Sequence, residues 1–169
     1  MPVKTDAAAA PGVKTSGGVI CRKAGQEDVE ELFLMIEEYA RAGIMLPRSR
    51  KALERQIGQF VIAELDGRFI GCGSLFRLGD DLVEIRSIGL RDEGKGKGIG
   101  SMILAALLEE AARQRIPKVM ALTYAVDFFI RNGFQVVNKE IFPEKVWTDC
   151  VNCSKQHACD EIAVLKILN

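Results

Sequence analysis

Residues 82–108 read LVEIRSIGLRDEGKGKGIGSMILAALL. A strand-like run meets glycines alternating with lysines, and an apolar helical pattern follows. Glycines at 94, 96, 98 and 100 remove every Cβ that would keep an anion from the main chain. The helix, expected from about Ile99, turns its unpaired N–H groups and the positive end of its dipole back onto that loop. Lys95 and Lys97 add charge. The stretch reads as a cradle for the phosphates of a cofactor.

Spacing separates the known phosphate loops better than glycine content does. A Walker loop, G-x-x-x-x-G-K-[ST], is matched by Gly89 through Lys95 for seven positions, but Gly96 stands where the magnesium-binding hydroxyl belongs. The dinucleotide fingerprint G-x-G-x-x-G fails because these glycines recur at every second residue. Lys95-Gly96-Lys97-Gly98-Ile99-Gly100 fits [RQ]-x-x-G-x-[GA], with Lys95 where Arg or Gln is usual. On that pattern the chain resembles the GNAT superfamily of acetyl-CoA-dependent N-acyltransferases.

Working outward, residues 19–23 predict a strand, and 26–40 a helix with Val29, Leu32, Phe33, Ile36 and Tyr39 on one face. Ser49 is placed to cap a second short helix running to about Ile57. Asp66-Gly67 between two strand patterns predicts a tight hairpin, and Pro117 marks the exit of the cofactor helix. Strands are expected at 119–123, 134–137 and 162–168, with a short helix over 125–132 ending at Gly133. The resulting order βααβββαβαββ is an α/β (α+β) class. The resemblance implies the GNAT fold over residues 19–169: a mixed, mostly antiparallel sheet of six or seven strands with four helices, its central strands splayed around the cofactor.

Residues 1–18 are small and polar and read as a disordered leader before one domain. With 23 basic and 23 acidic residues, the charge balance does not point to a nucleic-acid binder. The apolar runs are too short to span a membrane, and the N-terminus lacks a signal-peptide core, so cytoplasmic residence is the default expectation.

Transfer of acetyl to an amine needs the amine neutral, so a base must take a proton. Glu84, on the strand leading into the loop, is the candidate, where the resemblance often places a glutamate. The resemblance also implies that Ile88, Gly89 and Leu90 lend backbone groups to the pantetheine arm and the thioester oxygen, stabilising the tetrahedral intermediate. Cofactor contacts then extend through Lys95, Gly96, Lys97, Gly98, Ile99, Gly100 and Ser101. Many members carry a tyrosine that protonates the leaving thiolate; Phe129 stands at that position and has no proton to give. Tyr124 or water is the substitute.

Phe129, the loop Ile44-Met45-Leu46-Pro47-Arg48-Ser49-Arg50-Lys51-Ala52-Leu53-Glu54 set against the pattern ILxxRSRxxLE, Gly71-Cys72-Gly73-Ser74-Leu75 and Leu122-Thr123 together resemble the acetyltransferase domains of the N-acetylglutamate synthase family, of the short single-domain type without the arginine-binding kinase domain. The implied acceptor is L-glutamate, and the implied setting is arginine biosynthesis. A dicarboxylate acceptor suits Arg48, Arg50 and Arg86 as bidentate clamps. A GNAT acting on another small amine or a protein N-terminus, or a catalytically silent acyl-CoA-binding module, are the alternatives. The family also implies a homodimer paired through C-terminal strands.

Five cysteines, an odd number, argue against a disulfide framework, and Cys21 and Cys72 read as small buried hydrophobes. Cys150, Cys153, His157 and Cys159 form a candidate Cys3His zinc site; free thiols or a redox pair are the alternatives.

Overall fold

A computed structural model describes residues 14–142 and 161–168. Its strands are β1 (Lys14–Ser16), β2 (Val19–Lys23), β3 (Phe60–Leu65), β4 (Arg68–Arg77), β5 (Leu82–Leu90), β6 (Lys118–Thr123), β7 (Gln135–Val137) and β8 (Ile162–Ile167). Its helices are α1 (Val29–Arg41), α2 (Arg50–Gln56), α3 (Ile99–Arg113) and α4 (Val126–Arg131). The strands form one sheet of order β1-β2-β3-β4-β5-β6-β8-β7. Every neighbouring pair is antiparallel except β5 and β6. This is the expected mixed architecture with one strand more.

The extra strand is β1, which corrects the leader's boundary: Lys14–Ser16 pairs with β2 through a turn at Gly17 and Gly18. Residues 1–13 lie outside the described residues. The Asp66-Gly67 hairpin has both turn residues left-handed, φ 50° and 80°, matching the right-handed twist of the strands it joins. The Ser49 hydroxyl accepts the Ala52 N–H and starts α2.

Alternation along the strands feeds two faces. Val61, Ala63, Val83, Ile85, Val119 and Ala121 pack with the apolar stripe of α3. Phe60, Ile62 and Cys72 face the opposite way, under Leu32 and Ile36 of α1 and Leu53 of α2. A third cluster, around Leu82, Met120, Ala163 and Phe142, closes the C-terminal half.

Two irregularities shape the centre. β5 and β6 pair only at Leu82↔Lys118, Val83↔Val119 and Glu84↔Met120; beyond that, β5 runs on to Leu90 and β6 to Thr123 without pairing, so the strands diverge. On its other edge β5 bulges. Cys72 lies opposite Gly89 and Ser74 opposite Arg86, leaving Ser87 and Ile88 against Gly73 alone, with Ser87 left-handed at φ 54°. Side chains from β4 satisfy the bulge: Ser74 Oγ donates to the Arg86 carbonyl at 2.9 Å and Cys72 Sγ to that of Ser87 at 3.2 Å. Burial pushes the Cys72 thiol up to about 12, which keeps it a donor.

Candidate active site

The divergence of β5 and β6 opens a cavity of about 890 Å³. Its walls are the β5 edge, the ends of β6 and α4, the first turn of α3, and the loop joining α1 to α2.

The cofactor half is built from backbone. After a short turn at Asp92–Gly94 the chain passes through Gly96 and Gly98, left-handed at φ 77° and 75°. Gly98 is the N-cap of α3 and no side chain caps that helix. Among the described residues nothing lies within 4 Å of where a Cβ would sit on either glycine. Uncapped N–H groups at the head of a 15-residue helix, beneath an open loop, fit a diphosphate. Lys95 leans on Asp92 at 3.0 Å, and that contact raises its proton affinity further. Lys95 and Gly100 reach the cavity wall, the latter under the Phe128 ring, whereas the Ile99 side chain is buried in the core. Ser101 Oγ accepts from Asn132 Nδ2 at 3.3 Å, tying α3 to the end of α4. Lys97 is exposed.

Ile88, Gly89 and Leu90 line the same cavity. Arg91 N–H donates to the Ile70 carbonyl at 2.7 Å, across to β4. Strand alternation therefore turns the amide groups of Leu90 away from β4, toward the cavity. At Leu90 they are already engaged. The Tyr39 hydroxyl donates to the Leu90 carbonyl at 2.6 Å and accepts its N–H at 3.2 Å. Tyr39 and Met45 press so closely on Gly89 that a Cβ there would lie 3.1 Å and 2.9 Å from them.

The opposite side of the cavity is built from side chains. Glu84, 2% exposed, points into the cavity and forms an ion pair through Oε1 with Arg86 Nε. The Arg86 guanidinium lies 3.7 Å from the centre of the Phe76 ring. Arg48 also lines the cavity; its Nη1 donates to Gln56 Oε1 at 2.9 Å and its guanidinium lies 5.4 Å from the centre of the Phe60 ring. Arg50 is not brought in. Its fork grips Glu30 with two bonds of 2.9 Å and its guanidinium stacks 4.0 Å over Phe33, on the outer surface.

Tyr124 lines the cavity at the end of β6, 42% exposed. Phe129 is buried, edge-on to Phe128 and Phe134 at 5.2 Å and 5.1 Å, so the position that many members give to a tyrosine is part of the core. Tyr39, Gln56 and Glu161 also line the cavity, without a signal in the sequence that marks them. Tyr39 looked like one more apolar-face residue of α1, Gln56 like a solvated helix end, and Glu161 carried no signal. Cys150, Cys153, His157 and Cys159 lie outside the described residues. Among the described residues no group of three or more histidine, cysteine or acidic side chains could hold a metal, and no helix is long and apolar enough to cross a membrane.

Among the described residues the sheet parts at its one parallel pair, and an uncapped, glycine-opened helix stands beside the gap. The model of the acetyltransferase (GNAT) family matches residues 26–134, and the chain belongs to that family. It is 37% identical to an uncharacterized N-acetyltransferase of Chlorobaculum tepidum over 87% of this chain and 95% of that protein. It is 33% identical to an amino-acid acetyltransferase of Mycobacterium tuberculosis over 74% of this chain and 76% of the relative. Among solved structures, N-acetylglutamate synthase from Neisseria gonorrhoeae, complexed with coenzyme A and N-acetyl-glutamate, superposes with a TM-score of 0.80 at 25% identity. That match covers 92% of this chain and 36% of the synthase. CoA-bound neighbours of this kind support acetyl-CoA as the cosubstrate.

Proposed function

We propose that the protein transfers acetyl from acetyl-CoA to the α-amino group of a small amino acid, L-glutamate, by direct attack of the amine on the thioester. The observation that carries this reading is the convergence on one cavity of buried Glu84, the guanidinium of Arg48 and the β5 edge at Ile88. The amino-acid acetyltransferases and the synthase among the relatives favour the same acceptor.

Acetyl-CoA, when bound, supplies the thioester carbonyl. The head of α3 and the loop through Gly98 hold its diphosphate, with Lys95 adding charge. The Ile88 N–H donates to the carbonyl oxygen, where negative charge grows during attack. Arg48 pairs with a carboxylate of the acceptor, a contact that a polyamine could not make. Glu84 accepts the ammonium proton, directly or through a water, and Arg86 fixes the orientation of that carboxylate while resting on Phe76. Tyr124 or solvent returns a proton to the departing thiolate. Arg50, engaged by Glu30, has no part in the acceptor site.

Release of free CoA thiol from acetyl-CoA, followed against free amino acids, polyamines and short peptides, tests the reading. Saturable turnover with glutamate is expected. Turnover with polyamines or peptides alone would keep the family chemistry and remove the acceptor assignment.

A further inference from the structure

Tyr39 joins the two halves of the cavity. Its hydroxyl holds both amide groups of Leu90, and its backbone carbonyl accepts the N–H groups of Ile44 at 2.9 Å and Met45 at 3.4 Å. Those residues begin the loop that carries Arg48. An extended arm bearing amides, laid along an unpaired strand edge, binds by taking the N–H and C=O groups of alternate residues. On β5 those residues are Ile88 and Leu90, and the pair at Leu90 is in the grip of Tyr39.

We propose that Tyr39 is an affinity-setting residue for the cosubstrate: its hydroxyl competes with the pantetheine arm for Leu90, and its release on cofactor binding frees the α1 end that anchors the acceptor loop. The inference rests on the assignment of the β5 edge as the acetyl-CoA site. The hydroxyl takes the single N–H of Leu90, as an amide carbonyl of the arm would, so at that donor the two occupants exclude each other. The tyrosine ring packs against Gly89, where only a residue without a side chain leaves it room. Replacing the phenol with phenylalanine keeps that packing and removes only the competing group.

The test is calorimetric titration of the full chain and its Tyr39→Phe variant with CoA, with KM for acetyl-CoA and kcat measured in parallel. One competing hydrogen-bonding group corresponds to about three- to tenfold. Tyr39→Phe is therefore expected to bind CoA about three- to tenfold more tightly and to lower KM for acetyl-CoA by a similar factor, with kcat changed less. Thermal unfolding supplies a readout that a purely structural role would not give. Without CoA the variant should melt below the parent, because Leu90 loses its partner, and saturating CoA should close that gap. Unchanged or weaker CoA affinity in the variant overturns the proposal and leaves the acetyl-CoA site standing. Failure of both proteins to bind CoA overturns the assignment on which the proposal rests.

Discussion

The two halves of the cavity are made from different material. At the head of α3 the wall is main chain: two left-handed glycines and an uncapped helix, neither of which depends on where a long side chain swings. Across the gap, recognition belongs to arginines and glutamates whose meaning is set by their partners. Arg48, Arg50 and Arg86 are equivalent on the page of a sequence. In the fold, Arg48 lines the cavity and donates to Gln56, Arg86 is bound to the buried Glu84, and Arg50 is paired outside with Glu30. A site made of main chain can be read from residue spacing, whereas a site made of side chains is decided by tertiary neighbours.

Substitutions that act on one half and spare the other sharpen the contrast. The largest effect is expected at Glu84. Glu84→Gln removes the proton acceptor and should lower kcat by about a hundredfold or more, while calorimetric CoA affinity stays near that of the parent. Loss of CoA binding in that variant would merge the two halves into one.

Gly98→Val strikes the backbone half. A β-branched residue forced to φ 75° costs about 1–3 kcal/mol and deforms the turn at the helix head, so KM for acetyl-CoA should rise about tenfold or more with a lower melting temperature. The acceptor KM should move far less. The bulge between the halves predicts a pH signature. The Cys72 thiol, ordinarily near 9.0, is pushed to about 12 by burial. Below pH 9.0 folded and unfolded chains both hold the proton, so this group leaves stability unchanged. Between pH 9.0 and about 12 only the unfolded thiol ionises, and stability should fall as pH rises through that window. Alkylation of the folded chain at pH 8 should accordingly spare Cys72. The smallest effect is expected at Arg50: Arg50→Ala should change the glutamate KM by less than about twofold, because an exposed ion pair contributes little.

How far the fold was legible follows from the same contrast. The β5 strand, the Asp66-Gly67 turn, the Ser49 cap and the start of α3 emerged where expected, each from a local cause: apolar runs, left-handed turn residues, a side-chain cap, a change of period. Strand β1 was missed because three residues beside a double glycine carry almost no periodicity. The bulge at Ser87 was invisible because it is imposed by β4, whose Cys72 and Ser74 looked like ordinary strand residues yet satisfy its carbonyls. The places of Glu84 on β5 and of the glycine loop at the head of α3 followed from the strand and helix pattern. Removing Arg50 from the acceptor site, and finding Tyr39 on Leu90, required partners 20 and 51 residues away in the chain.

The central claim is that backbone selects the cosubstrate while Arg48 selects the acceptor. Its most direct test is steady-state kinetics of Arg48→Gln with acetyl-CoA and glutamate varied separately. The glutamate KM should rise about tenfold or more, the loss of a charge-assisted contact, with the acetyl-CoA KM within about twofold of the parent. An acetyl-CoA KM that rises in step with that of glutamate, or a glutamate KM that does not move, would contradict it.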